Sequence, residues 1–361
     1  VWNKKLLILN GLSIVAVVMN HSAHWGFTAM FWWAHRFRPV VSPNFDELGS
    51  LSYYILSIIL QLTIFSVPAF IFVSGFFVAY AARGAQGTIK WNTVKVRIVS
   101  LVIPYFIWSF VIFLLDFIQG MVYSPLIYIE RLFIGGAIQA YFFVPLLIQF
   151  YLLSPFIVRL ARDRWKLLLI LSVLLQFGAQ LIYLNYFNLD IAIPPWTFPR
   201  MILFFSLGVI AGLYLREFKD ILVRSKWILL TVAVLAAVLS VVEYQAIAVS
   251  DEGIWLGDFR SILNNVYALA IIGSFLAFDL PHIFTSKRII KIGQRSYGIY
   301  LVHVLVLTYL SKILYHVAPW IFGFQFLYQS ILIAAGIGVP MLLMEIMARS
   351  PARRYYKYVF G

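Results

Sequence analysis

Ten apolar runs follow one another along this chain, at about residues 5–27, 51–81, 98–120, 139–160, 166–187, 200–215, 226–248, 260–279, 296–316 and 321–348. Most approach the roughly 20 residues that a helix needs to cross about 30 Å of hydrocarbon. In lipid, every backbone N–H and C=O must be satisfied within the protein, which a helix achieves within its own segment. A transmembrane barrel would instead alternate apolar and polar residues in segments of about ten, and these runs do not. The composition agrees: of 361 residues, 63% are hydrophobic and 12% charged, too apolar for a soluble domain of this length. The expected architecture is therefore all-α, a polytopic transmembrane helical bundle of about ten spans, with residues 1–361 forming a single transmembrane domain. The second run is too long for one straight span and is expected to tilt or to lie partly at the interface. The sixth is short.

Lysine and arginine set the expected orientation. With both termini in the cytoplasm, 22 of the 28 Lys and Arg residues fall on the inner side, in clusters such as Arg83–Arg97, Arg159–Lys166, Arg216–Lys226 and Lys287–Arg295. Arg36, Arg38, Arg131, Arg200, Arg260 and Lys312 fall on or near the other side. Such alternation is the positive-inside pattern. It gives the net charge of +14 a partner in membrane lipids and excludes nucleic acid, since the charge is dispersed among short loops. The absence of cysteine removes thiol nucleophiles, thiolate metal sites and disulfides. The opening run leads into polar residues rather than a small-residue cleavage site, so it is read as a first span and not a signal peptide. Two outer segments, 28–50 (TAMFWWAHRFRPVVSPNFDELGS) and 249–260 (VSDEGIWLGDFR), are aromatic and acidic. Their aromatics fit interfacial anchors first, with a surface for carbohydrate or lipid headgroups as the alternative.

The first span carries the sequence's sharpest anomaly. Between Val17 and Gly26 it reads VVMNHSAHWG, with polar groups that each cost several kcal/mol in hydrocarbon unless satisfied inside the protein. Asn10 and His21 are eleven residues apart, close to three turns, and share a face with Val17. An imidazole at that depth is a candidate for chemistry, or a hydrogen-bonding hub between helices. His21 and His24 at i, i+3 lack the further ligands that a metal requires, so no metal is expected. Counting about 1.5 Å per residue places His21 roughly 24 Å above Lys5, and His303 roughly 12 Å above Arg295. On that count the two histidines would lie at different depths and not share a proton. The other intramembrane charges read as structural: Glu345 and Arg349 as a local i, i+4 pair, and Asp116, Glu243 and Lys312 as snorkelling groups near outer ends.

Further phrases join His21: VPAFIFVSGF (Val67 to Phe76), RIVSLVIPY (Arg97 to Tyr105), a fourth run with Tyr141, Pro145, Gln149, Tyr151 and Pro155, and SYGIYLVH (Ser296 to His303). Together, and in this order, they resemble the acyltransferase-3 family of bacterial multi-pass membrane O-acyltransferases, nearly end to end. One position departs from that pattern. The family's first-span Arg, eleven residues before the His, corresponds here to Asn10.

The resemblance implies transfer of an acyl group, acetyl from acetyl-CoA, onto a hydroxyl of a cell-surface glycan or lipid-linked sugar at a bacterial or archaeal inner membrane. Acyl-CoA would be a co-substrate, with no permanently bound cofactor, and a separate extracytoplasmic transferase could complete the transfer. Such chemistry suits His21, because a side chain with an ordinary pKa of about 6.5 can take a hydroxyl proton or accept the acyl group itself. Asn10, Ser74, Arg97, Tyr105, Tyr151, Ser296, Tyr300 and His303 are the expected substrate- and donor-binding residues, with Arg97 attracting CoA phosphates. Bracing roles for Ser296, Tyr300 and His303 remain open, as do a transporter or flippase and a non-catalytic descendant of the enzyme.

Overall fold

A computed structural model describes residues 2–83, 87–184, 193–250, 261–279 and 287–361. It is all-helical, with no strand among the described residues. Seven stretches are long and apolar enough to cross a membrane, and two further apolar helices are shorter. The protein is thus an integral, multi-pass membrane protein. Its described residues divide into two compact units, one drawn from 1–66, 227–275 and 280–346, the other from 67–226, 276–279 and 347–361. The outer segment 249–260 lies outside the described residues apart from the backbone of its first two.

The first unit is organised around α1 (Trp2–Phe27), which packs against α2 (Leu51–Thr63), α11 (Lys287–Gln294) and α12 (Ser296–Val317). Half of the residues of α1 are buried, whereas α9 (Lys226–Ser250) and α13 (Gln325–Arg349) leave most of their surface facing outward, as lipid-facing helices do. The α1–α11 contact is backbone against backbone. A Cβ on Gly11 would sit 2.5 Å from the Ile289 carbonyl oxygen, and one on Gly293 would strike the carbonyl oxygen of Leu7. Glycine at both positions lets the helices touch, the small-residue device of membrane helix pairs. Higher up, Gly336 of α13 admits Val18 of α1 and Leu307 of α12.

The long second run is two helices, α2 and then α3 (Ser66–Ala82), interrupted at Ile64–Phe65. Beyond Phe27, α1 continues as a π-helical turn over Thr28–Trp32, and the Asn44 N–H donates to the Phe31 carbonyl at 2.8 Å, tying the following loop back to that turn.

In the second unit α3 packs on α7 (Ile202–Leu213) through the same device: a Cβ on Gly75 would meet the Phe205 carbonyl, and one on Gly208 the Phe72 carbonyl. The fourth and fifth apolar runs merge into α6 (Phe143–Tyr183), whose 41 residues are broken at Arg164 (φ −149°, ψ 60°). Between α4 (Trp91–Ile118) and α6 lies α5 (Pro125–Ile134). It is capped by the Ser124 hydroxyl accepting from the Ile127 N–H and closed by Gly135 at φ +75°, where a β-carbon would be strained. The amphipathic α8 (Leu215–Arg224) follows, while α10 (Ile262–Ala277) belongs, but for its last two residues, to the first unit. The terminal α14 (Tyr356–Val359) returns to α4, where the Trp108 indole donates to the Val359 carbonyl at 2.9 Å.

Candidate active site

The polar cluster of α1 resolves side chain by side chain. Asn20 Nδ2 donates to Thr63 Oγ1 of α2 at 3.0 Å. Ser22 turns back on its own helix and donates to the Met19 carbonyl at 2.9 Å. His21 faces the other way, towards α12: its ring centroid lies 5.2 Å from that of His303, with the planes inclined by 54°. His24 follows one turn along, 6.3 Å from His21. His21 keeps part of its surface accessible, while Ser22 and Ala23 beside it are sealed. Although the three histidines are neighbours, no group of three or more His, Asp or Glu among the described residues is arranged to hold a metal ion.

His303 is fully buried. Its Nδ1 lies 2.7 Å from the Tyr300 carbonyl oxygen and 3.2 Å from that of Ile299. A carbonyl can only accept, so Nδ1 carries the hydrogen, and in the neutral ring Nε2 holds a bare lone pair. That Nε2 atom is buried and has no hydrogen-bond partner among the described residues.

The proximity of these rings corrects the depth count, which placed His303 well below His21. The count treated Arg295 and Lys5 as level. The contact of Gly293 with Leu7 and Gly11 instead lifts the start of α12 by one to two turns along α1, about 5–10 Å. Hydropathy carries no information on that register.

The same seam holds other unsatisfied atoms. Asn10 Oδ1, Ser13 Oγ and Arg295 Nη1 are buried without a hydrogen-bond partner among the described residues. Asn10, Ser13, Val17, His21 and His24 fall within an arc of about 80° on α1, so these polar groups form one stripe. Each unpartnered buried polar atom costs about 1–3 kcal/mol, and such clusters persist where function needs them. Arg295 is held at one end, its Nη2 donating to Glu345 Oε2 at 3.0 Å, with Lys291 Nζ 3.5 Å from the same oxygen. Glu345 is therefore an inter-helix partner, beyond the local pairing with Arg349 that its spacing suggested. Ser13 and Arg295 escaped sequence reasoning; for Ser13 the signal was there, since it shares the helical face of Asn10 and His21.

The expected site residues split between the units. Asn10, His21, Ser296, Tyr300 and His303 belong to the first, Ser74, Arg97, Tyr105 and Tyr151 to the second. Ser296 opens α12 and Tyr300 is buried, its carbonyl engaged by His303. In the second unit Arg97 donates to the Phe77 carbonyl at 3.0 Å, just past Ser74, and its guanidinium lies 5.7 Å from the centre of the Tyr151 ring. Tyr105 is fully engaged elsewhere, buried and donating to the Leu132 carbonyl at 2.8 Å.

A family model described as an acyltransferase domain, Acyl_transf_3, matches residues 5–345. The chain belongs to the acyltransferase-3 family. It is a membrane acyltransferase, transferring groups other than aminoacyl groups, which decides between the enzyme and transporter readings of its polar spans. No curated protein and no solved structure matches the chain. For this family member, the matched region spans both histidines, the α1 stripe and the α3–α4 residues around Arg97.

Proposed function

We propose that the protein is an O-acyltransferase that moves an acyl group, acetyl from acetyl-CoA, onto a hydroxyl of a cell-surface glycan or a lipid-linked sugar, with His21 as the general base. The observation that carries this reading is His21 itself: a partly accessible imidazole turned into the protein against a buried second imidazole, at the head of a stripe of unpartnered polar atoms.

The chemistry is economical. A sugar hydroxyl attacks a thioester poorly until its proton is removed, and positioned proton transfer contributes typically 10²–10⁴-fold. His21 takes that proton as the oxygen bonds to the acyl carbon. The carbon–sulfur bond then breaks, and the leaving thiolate recovers the proton from the imidazolium. The arm of CoA presents amides, which are donors and acceptors of the kind that Asn10, Ser13 and Arg295 lack. Ser296, Tyr300 and His303 belong to the same unit as His21 and are assigned to the donor route beside it.

We further infer ten spans with both termini in the cytoplasm of a bacterial or archaeal cell. Two features support this. The 41 residues of α6 are long enough for two spans, and the shorter apolar helices α7 and α10 supply two more beside the other six long stretches. The donor would then enter from the inner side and the acceptor meet His21 towards the outer side, with a separate extracytoplasmic transferase as a possible recipient of the acyl group.

The test is His21→Ala in purified, reconstituted protein supplied with acyl-labelled acetyl-CoA and a glycan fraction. Transfer is expected to disappear while insertion and thermal stability hold; undiminished transfer would remove His21 from its role. A pulse of labelled donor without acceptor checks the chemistry. Label retained on His21 would mean that the ring carries the acyl group and is not merely a base.

A further inference from the structure

Residues that activate a base are often found one shell behind it, where a third group fixes the ring and its tautomer. His303 has the features of such a group. Its Nδ1–H is committed to the Tyr300 and Ile299 carbonyls, which fixes the ring on α12 and leaves Nε2 able only to accept in the neutral form. Nε2 has no partner, is buried, and belongs to the ring packed 5.2 Å, centroid to centroid, from His21. A buried acceptor with nothing to accept is costly. A nearby group that can offer it a hydrogen is the ring N–H of His21.

We propose that His303 is a positioning residue for His21: its Nε2 accepts the N–H of the His21 ring, so that the other His21 nitrogen presents its lone pair to the substrate hydroxyl. Hydrogen bonds of this kind are commonly loose in the free enzyme and tighten in the reacting complex. When His21 takes the hydroxyl proton it becomes an imidazolium with two N–H groups. One of them is held by His303 Nε2, and the other returns its proton to the leaving thiolate. His303 gains and loses no proton in the cycle. Its contribution is to fix which nitrogen of His21 is basic and to steady the cation that forms. The inference rests on the reading of His21 as the base.

The two amide residues separate this role from simple packing. In His303→Asn the carboxamide N–H₂ can still reach the Tyr300 carbonyl from the Nδ1 position, but nothing accepts at Nε2. In His303→Gln the longer side chain can place an amide oxygen near Nε2. The expected result is a fall in kcat of about 100-fold for Asn at unchanged KM for acetyl-CoA, with substantial rescue by Gln. A brace acting only through Nδ1 predicts the reverse order, and that order would overturn the proposal. Solid-state NMR of protein carrying ring-¹⁵N histidine gives a second readout that does not depend on how the variants fold. His21 in the unmodified protein should populate one neutral tautomer, and a mixture of tautomers would overturn the pairing. If His21→Ala is fully active, both the base and the pairing fall. If His21→Ala is dead while His303→Asn works normally, only the pairing falls.

Discussion

The two units use the same backbone device and finish it differently. In the second, polar side chains around the α3–α7 contact end on carbonyls: Arg83 donates to Gly212 O at 2.7 Å, Arg162 to Ala82 O at 2.6 Å and Arg97 to Phe77 O at 3.0 Å. Gly212 and Ala82 offer the unsatisfied carbonyls of helix ends, where a guanidinium is favoured by both hydrogen bonding and the helix dipole; Phe77 lies inside α3, and Arg97 adds a second bond to its carbonyl. Deeper in, Ser172 pairs with Ser206 at 2.8 Å, and Gln176 accepts the Leu203 N–H at 3.0 Å. In the first unit the α1–α11 contact is as close, yet the stripe beside it leaves Asn10, Ser13, Arg295 and His303 each with an unmatched buried atom. Among the described residues the second unit leaves two such atoms, Ser109 Oγ and Arg162 Nε, whereas the first leaves eleven, four of them in this seam.

That contrast can be broken at several points. The largest effect is expected from Gly208→Val and Gly293→Val, since each new side chain would run into a backbone carbonyl that cannot move aside. Overpacking of this sort costs about 3 kcal/mol or more. Both variants should fail to give monodisperse protein in detergent, and a well-behaved Gly293→Val would mean that the α1–α11 contact is looser than described. Next is Arg83→Gln. Losing charged hydrogen bonds to Gly212 is expected to lower stability by about 1.5–3 kcal/mol with transfer per folded molecule unchanged. Differential scanning fluorimetry alongside the transfer assay reads both.

Asn10→Leu should behave in the opposite sense. Removing an unpartnered polar atom is expected to raise stability by about 1 kcal/mol while transfer falls at least tenfold, the trade expected of a functional stripe. A variant that is destabilised and still active would place Asn10 with the structural groups of the other unit. The smallest effect is expected from Tyr105→Phe. It gives up one hydrogen bond, to Leu132, worth about 1 kcal/mol, and should leave the KM for acetyl-CoA unchanged. A raised KM would show that the hydroxyl also serves the donor.

Much of the site was legible from residue spacing. The helical period placed Asn10 and His21 on one face, and the same rule adds Ser13 to it; serine is a weak signal because it often bonds its own backbone, as Ser22 does here. The interruption at Ile64–Phe65 was legible in principle: the run was too long for one straight span, and Pro68, four residues beyond Ile64, lacks the N–H that would continue the helix through that carbonyl. Two matters were out of reach. The i, i+4 spacing of Glu345 and Arg349 is visible in sequence, but the contacts of Glu345 with Arg295 and Lys291 across helices are not. His303 was set too low because its depth was counted from Arg295, with no way of knowing that α11 rides up along α1.

By itself the sequence determined that the chain crosses a membrane as helices, that it shares the motifs of a membrane acyltransferase family, and that one face of its first helix is polar. These follow from hydropathy, period and motif order, which are properties of a single strand of text. The tertiary structure alone decided which polar atoms meet. Apolar helices in lipid have little hydrophobic reason to prefer one sliding position over another. The register of α12 on α1 is fixed instead where Gly11 and Gly293 let two backbones touch, and that contact brings a second imidazole to His21.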